Sequence, residues 1–244
     1  GPMARSAEDL DTALSVLAGP DSDMATAYRL ELPAARQTRA GKFRVLVLDS
    51  TPLAATDRQI LDALETLAGE LSKAGATLVR SHPAMPDLAA VDPIYKTLLN
   101  AVISRGAPNA TPPSAHEWMA SLDAQRHVRD RWAEVFKDVD VVLAPVFGST
   151  AFPHIDAPWP ARTLTIDNAS TPYGDQLAWP SVALLPNLPA TAFPAGLSTE
   201  GLPIGLQAIG PFLEDRTTIA FAAAVERELG RTTKAPPLDA LEPA

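Results

Sequence analysis

The stretch Val45-Leu-Val-Leu48 is a continuous apolar run, the mark of a strand covered on both faces. Thr56-x-x-Gln59 follows as a capping signal, and Ile60, Leu64, Leu67 and Leu71 then share one helical face. Gly75 ends that helix, and Thr77-Leu-Val79 is the next short strand. A strand, a helix of about five turns and a second strand imply parallel pairing through a right-handed crossover. The fold class is therefore α/β.

Outward from this unit, toward the N-terminus, Ser6 and Asp9 form an S-x-x-D capping box, and Leu10, Leu14 and Leu17 repeat along one face. Gly19-Pro20 ends that helix, and residues 20–42 read as an irregular connection. Toward the C-terminus, the Pro-rich region 83–113 surrounds a helix predicted from Asp92 to Ser104. Ser114-x-x-Glu117 opens a long helix reaching Lys137, with Trp118, Leu122, Trp132 and Phe136 on one face, interrupted by Gln125 and Arg129. Asp140 to Ala144 reads as a central strand stopped by Pro145. Patterning is then weak as far as Pro194, apart from a helix predicted over Tyr173 to Leu184. Ile204 to Ile209 is a strand, and Glu214 to Leu229 a helix with Arg227 in its last turn and Gly230 after it. Residues 1–230 form the expected domain, and 231–244 a polar, Pro-rich tail.

The bulk composition excludes several functions. Of 244 residues 46% are apolar, enough for a core, and the net charge of −9, with no basic stripe, argues against a nucleic-acid partner. Absence of cysteine excludes disulfides, thiolate zinc sites and a Cys nucleophile. No stretch is long and apolar enough to span a membrane, and no signal peptide is visible, so a cytoplasmic protein is expected.

Motifs that carry chemistry are mostly missing. Gly41-Lys42 has Arg36 where a phosphate loop needs its first glycine, and G-x-G-x-x-G does not occur. His116-Glu117 begins like a zinc hydrolase motif, but Ala120 stands where the second histidine belongs. G-x-S-x-G and S-x-x-K are absent. The histidines His82, His116, His127 and His154 show no ligand spacing, so surface or capping roles are the plainer reading; no metal or cofactor is implied. His154 alone follows a loop at a strand end, where α/β proteins build sites. Gln125 and Arg129 either reach into a pocket or rest at the edge of their helix face with tips in water, the reading preferred here. The aromatics Trp159, Tyr173 and Trp179 either wall a pocket or plug the core.

The last third is more specific. Asn187-Leu-Pro-Ala-Thr-Ala-Phe-Pro-Ala-Gly196, Glu200-Gly-Leu-Pro-Ile-Gly-Leu-Gln-Ala-Ile-Gly-Pro211 and Glu214-Asp-Arg-Thr-Thr-Ile-Ala-Phe221 together resemble the C-terminal signature of the amidase-signature family. Asp140-Val-Val-Leu-Ala-Pro145 resembles a strand of that family, and Gly1-Pro-Met-Ala-Arg-Ser-Ala-Glu-Asp-Leu10 one of its helix starts. Their chemistry is structural: glycines at 201, 205 and 210 allow tight turns or close approach, and Pro203 begins a strand where its missing N–H costs least.

The resemblance implies the C-terminal half of an amidase-signature fold, a mixed β-sheet flanked by helices. It also implies hydrolysis of a carboxylic amide by a lysine, a bridging serine on a cis peptide and a nucleophilic serine. In the family those groups precede the helix start matched at Gly1–Leu10. No Gly-Gly-Ser run occurs here, and Lys42, Lys73, Lys96, Lys137 and Lys234 have no family match as base, so no catalytic residue carries over. The expectation is a chain inactive alone, which binds a missing N-terminal half or self-associates, since half a sheet exposes an apolar edge and face. The region from Ile94 to Gly106 lacks the segment typical of the amidotransferase branch of the family, favouring a stand-alone amidase for a small amide. By analogy Phe147, Trp159 and Tyr173 line the acyl pocket. The competing reading is a non-catalytic scaffold that complements a separate chain.

Overall fold

The run at 45–48 lies in an interior strand of a sheet and is covered on both faces, as expected. The computed structural model describes residues 1–107 and 111–232. Its main elements are α1 (Ala7–Leu17), β1 (Arg44–Val47), α2 (Arg58–Ala74), β2 (Thr77–Val79), α3 (Leu88–Ile103), α4 (Ala115–Asp138) and β3 (Val141–Pro145). After these come β4 (Thr163–Ile166), β5 (Ala169–Pro172), α5 (Ala178–Leu184), β6 (Ala190–Leu197), β7 (Pro203–Ile209) and α6 (Asp215–Leu229). The main sheet has the order β2-β1-β3-β7-β6. β2, β1 and β3 are mutually parallel, and β7 runs antiparallel to both of its neighbours. This is the mixed, helix-flanked α/β sheet that the resemblance implied.

Alternation along the strands divides the core into two layers. Val45, Val47, Val141 and Leu143 face α2 and α6, together with Leu206, Ala208 and Phe193. Ile60, Leu64, Leu67 and Leu71 of α2 are all buried against that layer. Burying each such side chain contributes about 1.5–3 kcal/mol. Phe221 of α6 packs edge-on to Phe43 and Phe193, with ring centroids 5.0 and 5.8 Å away. On the other face Leu46, Leu48, Val142 and Ala144 meet Trp132, Phe136 and Trp179 from α4 and α5.

The termini of the helices follow local chemistry. Gly75 closes α2 at φ 105°, a left-handed conformation that suits glycine. Ser114 and Glu117 form the reciprocal capping box of α4, with bonds of 3.2 and 2.7 Å. The cap of α2 corrects the sequence reading: Asp57, not Thr56, accepts from the Gln59 N–H at 2.8 Å. Thr56 is occupied elsewhere, accepting from the Trp179 indole at 3.0 Å.

Other boundaries move for stated reasons. Asp87 caps α3 by accepting from Ala89 and Ala90, so the helix starts before Asp92 and contains Pro93. Only the C-terminal part of α4 is buried, through Val128, Trp132, Val135 and Phe136, and Leu122 of the predicted face is exposed. Gln125 and Arg129 have protein partners rather than water alone: Gln125 donates to the Leu185 carbonyl at 2.7 Å, and Arg129 stacks 4.3 Å over Phe212. The weakly patterned region contains the β4–β5 hairpin and the edge strand β6. Asp167 and Asn168 form the hairpin turn with φ of 48° and 65°. The tail expected over 231–244 lies outside the described residues beyond Thr232.

At the base of the sheet Asp140 is almost wholly buried. It accepts from the Arg44 N–H at 2.9 Å and from that residue's guanidinium at 2.7 and 3.3 Å. Hydrogen bonding to this carboxylate raises the Arg44 pKa above its ordinary value, fixing the charge. Arg36, in the connection between α1 and β1, grips Glu214 at 2.6 and 2.7 Å and donates to the Phe136 and Val139 carbonyls.

Candidate functional site

The carboxyl ends of the parallel strands β1 and β3 lie side by side, which is where α/β sheets place ligands. Two loops leave that end, 48–57 after β1 and 146–162 after β3. Gln176, fully buried, ties them together: its side-chain oxygen accepts from the Gly148 N–H at 2.7 Å, and its amide donates to the Ala55 carbonyl at 2.9 Å. The Gly148 carbonyl accepts from the Asp57 N–H at 2.7 Å. A Cβ at Gly148 would stand 2.2 Å from the Ala55 oxygen, so only glycine fits this crossing. The β6–β7 turn joins the same end, the Thr199 N–H donating to the Gln59 side chain at 2.7 Å.

On this frame the second loop and Tyr173, which follows β5, form an aromatic cluster. Phe147 stacks with Phe152 at 6.2 Å between centroids and lies 5.9 Å from Tyr173; Trp159 meets Tyr173 edge-on at 4.9 Å. All three aromatics expected near a pocket are thus brought together. Phe152, 5.9 Å from Tyr173, completes the cluster and was not singled out from sequence. Its position five residues after Phe147 in a Pro-bounded loop was the available signal. Trp179, by contrast, is fully buried in the core.

Beside the cluster is an open pocket of about 290 Å³, lined by Phe152, His154, Asp156, Arg162 and Tyr173. Phe147 and Trp159 pack against Tyr173 and do not themselves line this pocket. Arg162 is anchored by donating to the Ala157 carbonyl at 2.8 Å, and its own carbonyl accepts from the Tyr173 N–H at 2.9 Å. The site offers flat apolar faces, an imidazole and one charge of each sign. Such a surface can hold and orient a substrate.

The other candidates separate from it. His82 is bonded to Asp138 at 3.0 Å and accepts from the Ala84 N–H, while His116 and His127 are exposed on α4. Among the described residues no group of three His, Cys, Asp or Glu side chains could hold a metal. Lys96 and Lys137 are in ion pairs with Asp92 and Glu134; Lys234 lies outside the described residues. No described helix is long and apolar enough to cross a membrane.

Comparison with known proteins gives this arrangement its context. The fatty acid amide hydrolase of Medicago truncatula is 37% identical over 123 residues, covering 50% of this chain and 20% of that protein. The glutamyl-tRNA(Gln) amidotransferase A subunit of Granulibacter bethesdensis is 40% identical over 96 residues, 39% of this chain and 17% of that one. Relatives of both kinds match, so disfavouring the amidotransferase branch rests on the segment 94–106 alone. The solved glutamyl-tRNA(Gln) amidotransferase A subunit of Thermotoga maritima superposes with a TM-score of 0.72 at 20% identity, over 93% of this chain and 52% of its own. The aligned regions thus span about a fifth of these curated relatives and about half of the solved structure. The family model described as Amidase matches residues 93–219, just over half of the chain, and the chain belongs to the amidase-signature family.

Proposed function

We propose that residues 1–230 form the C-terminal part of an amidase domain that hydrolyses a small carboxylic amide to acid and amine or ammonia. In this reading the serine nucleophile, bridging serine and lysine base stand on the complementary part of the fold. This chain contributes half of the sheet and the acyl side of the pocket. The observation that carries the reading is the superposition of nearly the whole chain on about half of a solved amidase-family structure. It is supported by the side-chain chemistry here, since no hydrogen bond joins a lysine to a serine among the described residues. Phe147, Phe152, Trp159 and Tyr173 would receive the apolar part of the amide, and Gln176 would hold both strand-end loops in register. A cytoplasmic setting fits the cysteine-free sequence.

The test is direct. The chain alone is expected to turn over no small amide, such as benzamide, and to take no label from a serine-directed phosphonate. Mixing it with the remaining portion of an amidase fold is expected to produce turnover. Labelling of any serine in this chain, or turnover by it alone, would overturn the reading. Stable association without turnover would instead favour a non-catalytic scaffold.

A further inference from the structure

Between β2 and α3 the chain runs as a short strap, 80–87, against the C-terminal half of α4. Ala84, Met85 and Leu88 pack on the second core layer. Arg131 of α4 grips the strap by its backbone, donating to the Ala84, Pro83 and Met85 carbonyls at 3.0, 3.3 and 3.4 Å. His82, whose side chain is only 13% exposed, makes the other polar contacts. Its Nε2 lies 3.0 Å from Asp138 Oδ2 at the end of α4, and its Nδ1 accepts from the Ala84 N–H at 3.1 Å. The Met85 N–H closes the turn by donating to the His82 carbonyl at 3.0 Å.

These partners fix the state of the ring. A ring nitrogen that accepts from an N–H carries no proton, so the one proton of the neutral imidazole stands on Nε2 and is donated to Asp138. A second proton has only Nδ1 to go to, where it would face the Ala84 N–H, donor against donor. The same proton would strengthen the bond to Asp138, a carboxylate at the C-terminal end of a helix. Protonation therefore pulls the ring and the turn in opposite directions. Asp138 favours the added charge, and Arg131, lying along the turn, opposes it. Other charged groups on the elements around the strap are engaged: Arg126 with Asp130 and Glu134 with Lys137 on α4, and Arg44 of β1 with Asp140. Arg80 holds Asp49 and Glu65, and Asp87 accepts from the Ala89 and Ala90 N–H groups.

We propose that His82 is a proton-operated clasp between the strap and α4. Neutral, it holds Ala84 and Asp138 together; protonated, it keeps Asp138 and releases the Ala84 N–H, loosening the entry to α3. The closed turn binds one proton fewer than the open one, so closure weakens as pH falls through the imidazole range, about pH 8 to 5. The clasp stands on geometry within this chain and is independent of the amidase reading.

Nitrogen-15 NMR of the full chain should find the His82 proton on Nε2 at pH 8. Protection of the Ala84 amide, taken relative to its intrinsic exchange rate at each pH, should fall about tenfold or more between pH 8 and pH 5. Amides within α4, such as Val135, should keep theirs. His82→Asn offers Ala84 a side-chain carbonyl that does not titrate, two residues before it as in an Asx turn. Protection at pH 8 should remain in that variant and its pH dependence should vanish. Asp138→Asn removes the attraction for the imidazolium and should move the loss of protection to lower pH. A proton on Nδ1 at pH 8, constant protection of Ala84, or a pH dependence that survives His82→Asn would overturn the proposal. Equal loss at Val135 would also overturn it, in favour of acid unfolding of the whole layer. If His82→Asn does not fold, a transition left unmoved by Asp138→Asn refutes the clasp instead.

Discussion

The two faces of the main sheet are finished to different degrees. The face under α2 and α6 is covered from β1 across to β6, where Phe193 and Ala195 are still buried. The face under α4 and α5 is covered over β1 and β3 and ends near Ile209. Beyond it Ala190, Ala192 and Gly205 are exposed, with Pro194 half-buried. The first face reads as a complete core, whereas the second stops part-way across the sheet. What remains bare is made of small residues, which a partner can approach closely without displacing a side chain.

Substitutions on the two faces should therefore differ most. Phe221→Ala, removing a fully buried ring wedged between Phe43 and Phe193, is expected to cost about 3–5 kcal/mol in urea unfolding. Ala192→Thr, on the bare face, should stay within about 0.5 kcal/mol. Equal costs would mean that the second face is covered after all. Gln176→Leu strands the Gly148 N–H and the Ala55 carbonyl, and should cost about 1–3 kcal/mol with faster amide exchange at Gly148. Ser114→Ala removes one arm of the capping box of α4, for about 1 kcal/mol and a measurable loss of helical ellipticity.

The smallest effects lie at the surface. Trp159→Ala, at a half-exposed ring, should leave stability within about 0.5 kcal/mol. On the amidase reading proposed above, it should weaken binding of an aromatic amide by the reconstituted assembly more than of an aliphatic one. Hydrogen bonding to the Ser114 N–H and hydroxyl holds the Glu117 carboxyl below the ordinary glutamate range. Its contribution is therefore present above the unfolded-state pKa and is lost as pH falls through the lower folded value. Acid titration followed by circular dichroism should show the start of α4 fraying in that window, with the effect reduced in Ser114→Ala, which keeps the backbone N–H, and missing in Glu117→Gln.

Sequence made the first face legible and the second only in part. The 45–79 unit, α6 and the capping box at 114–117 are governed by periodicity and local hydrogen bonds, which a sequence displays. The cap at Asp57 was missed because Thr56 is claimed by Trp179, more than a hundred residues away. β6 was missed because Pro194 and the bulge interrupt its alternation, and because Ala190 and Ala192 face out as alanines rather than as polar residues. The aromatics at 147, 159 and 173 were named by analogy, and Gln176, three residues past Tyr173, holds that segment beside Phe147 through its bond to the Gly148 N–H. No local pattern encodes that contact.

Arg36 has a consequence for how the molecule comes apart. One guanidinium holds the end of α4, from the second layer, and the start of α6, from the first. Lifting the first layer breaks the Arg36–Glu214 ion pair, and lifting the second breaks the bonds of the same guanidinium to the Phe136 and Val139 carbonyls, beside the buried Asp140. The layers should thus open as one cooperative unit, with matching exchange free energies for α4 and α6 amides. Protease nicking in the 20–42 connection would uncouple the layers and turn a single unfolding transition into two.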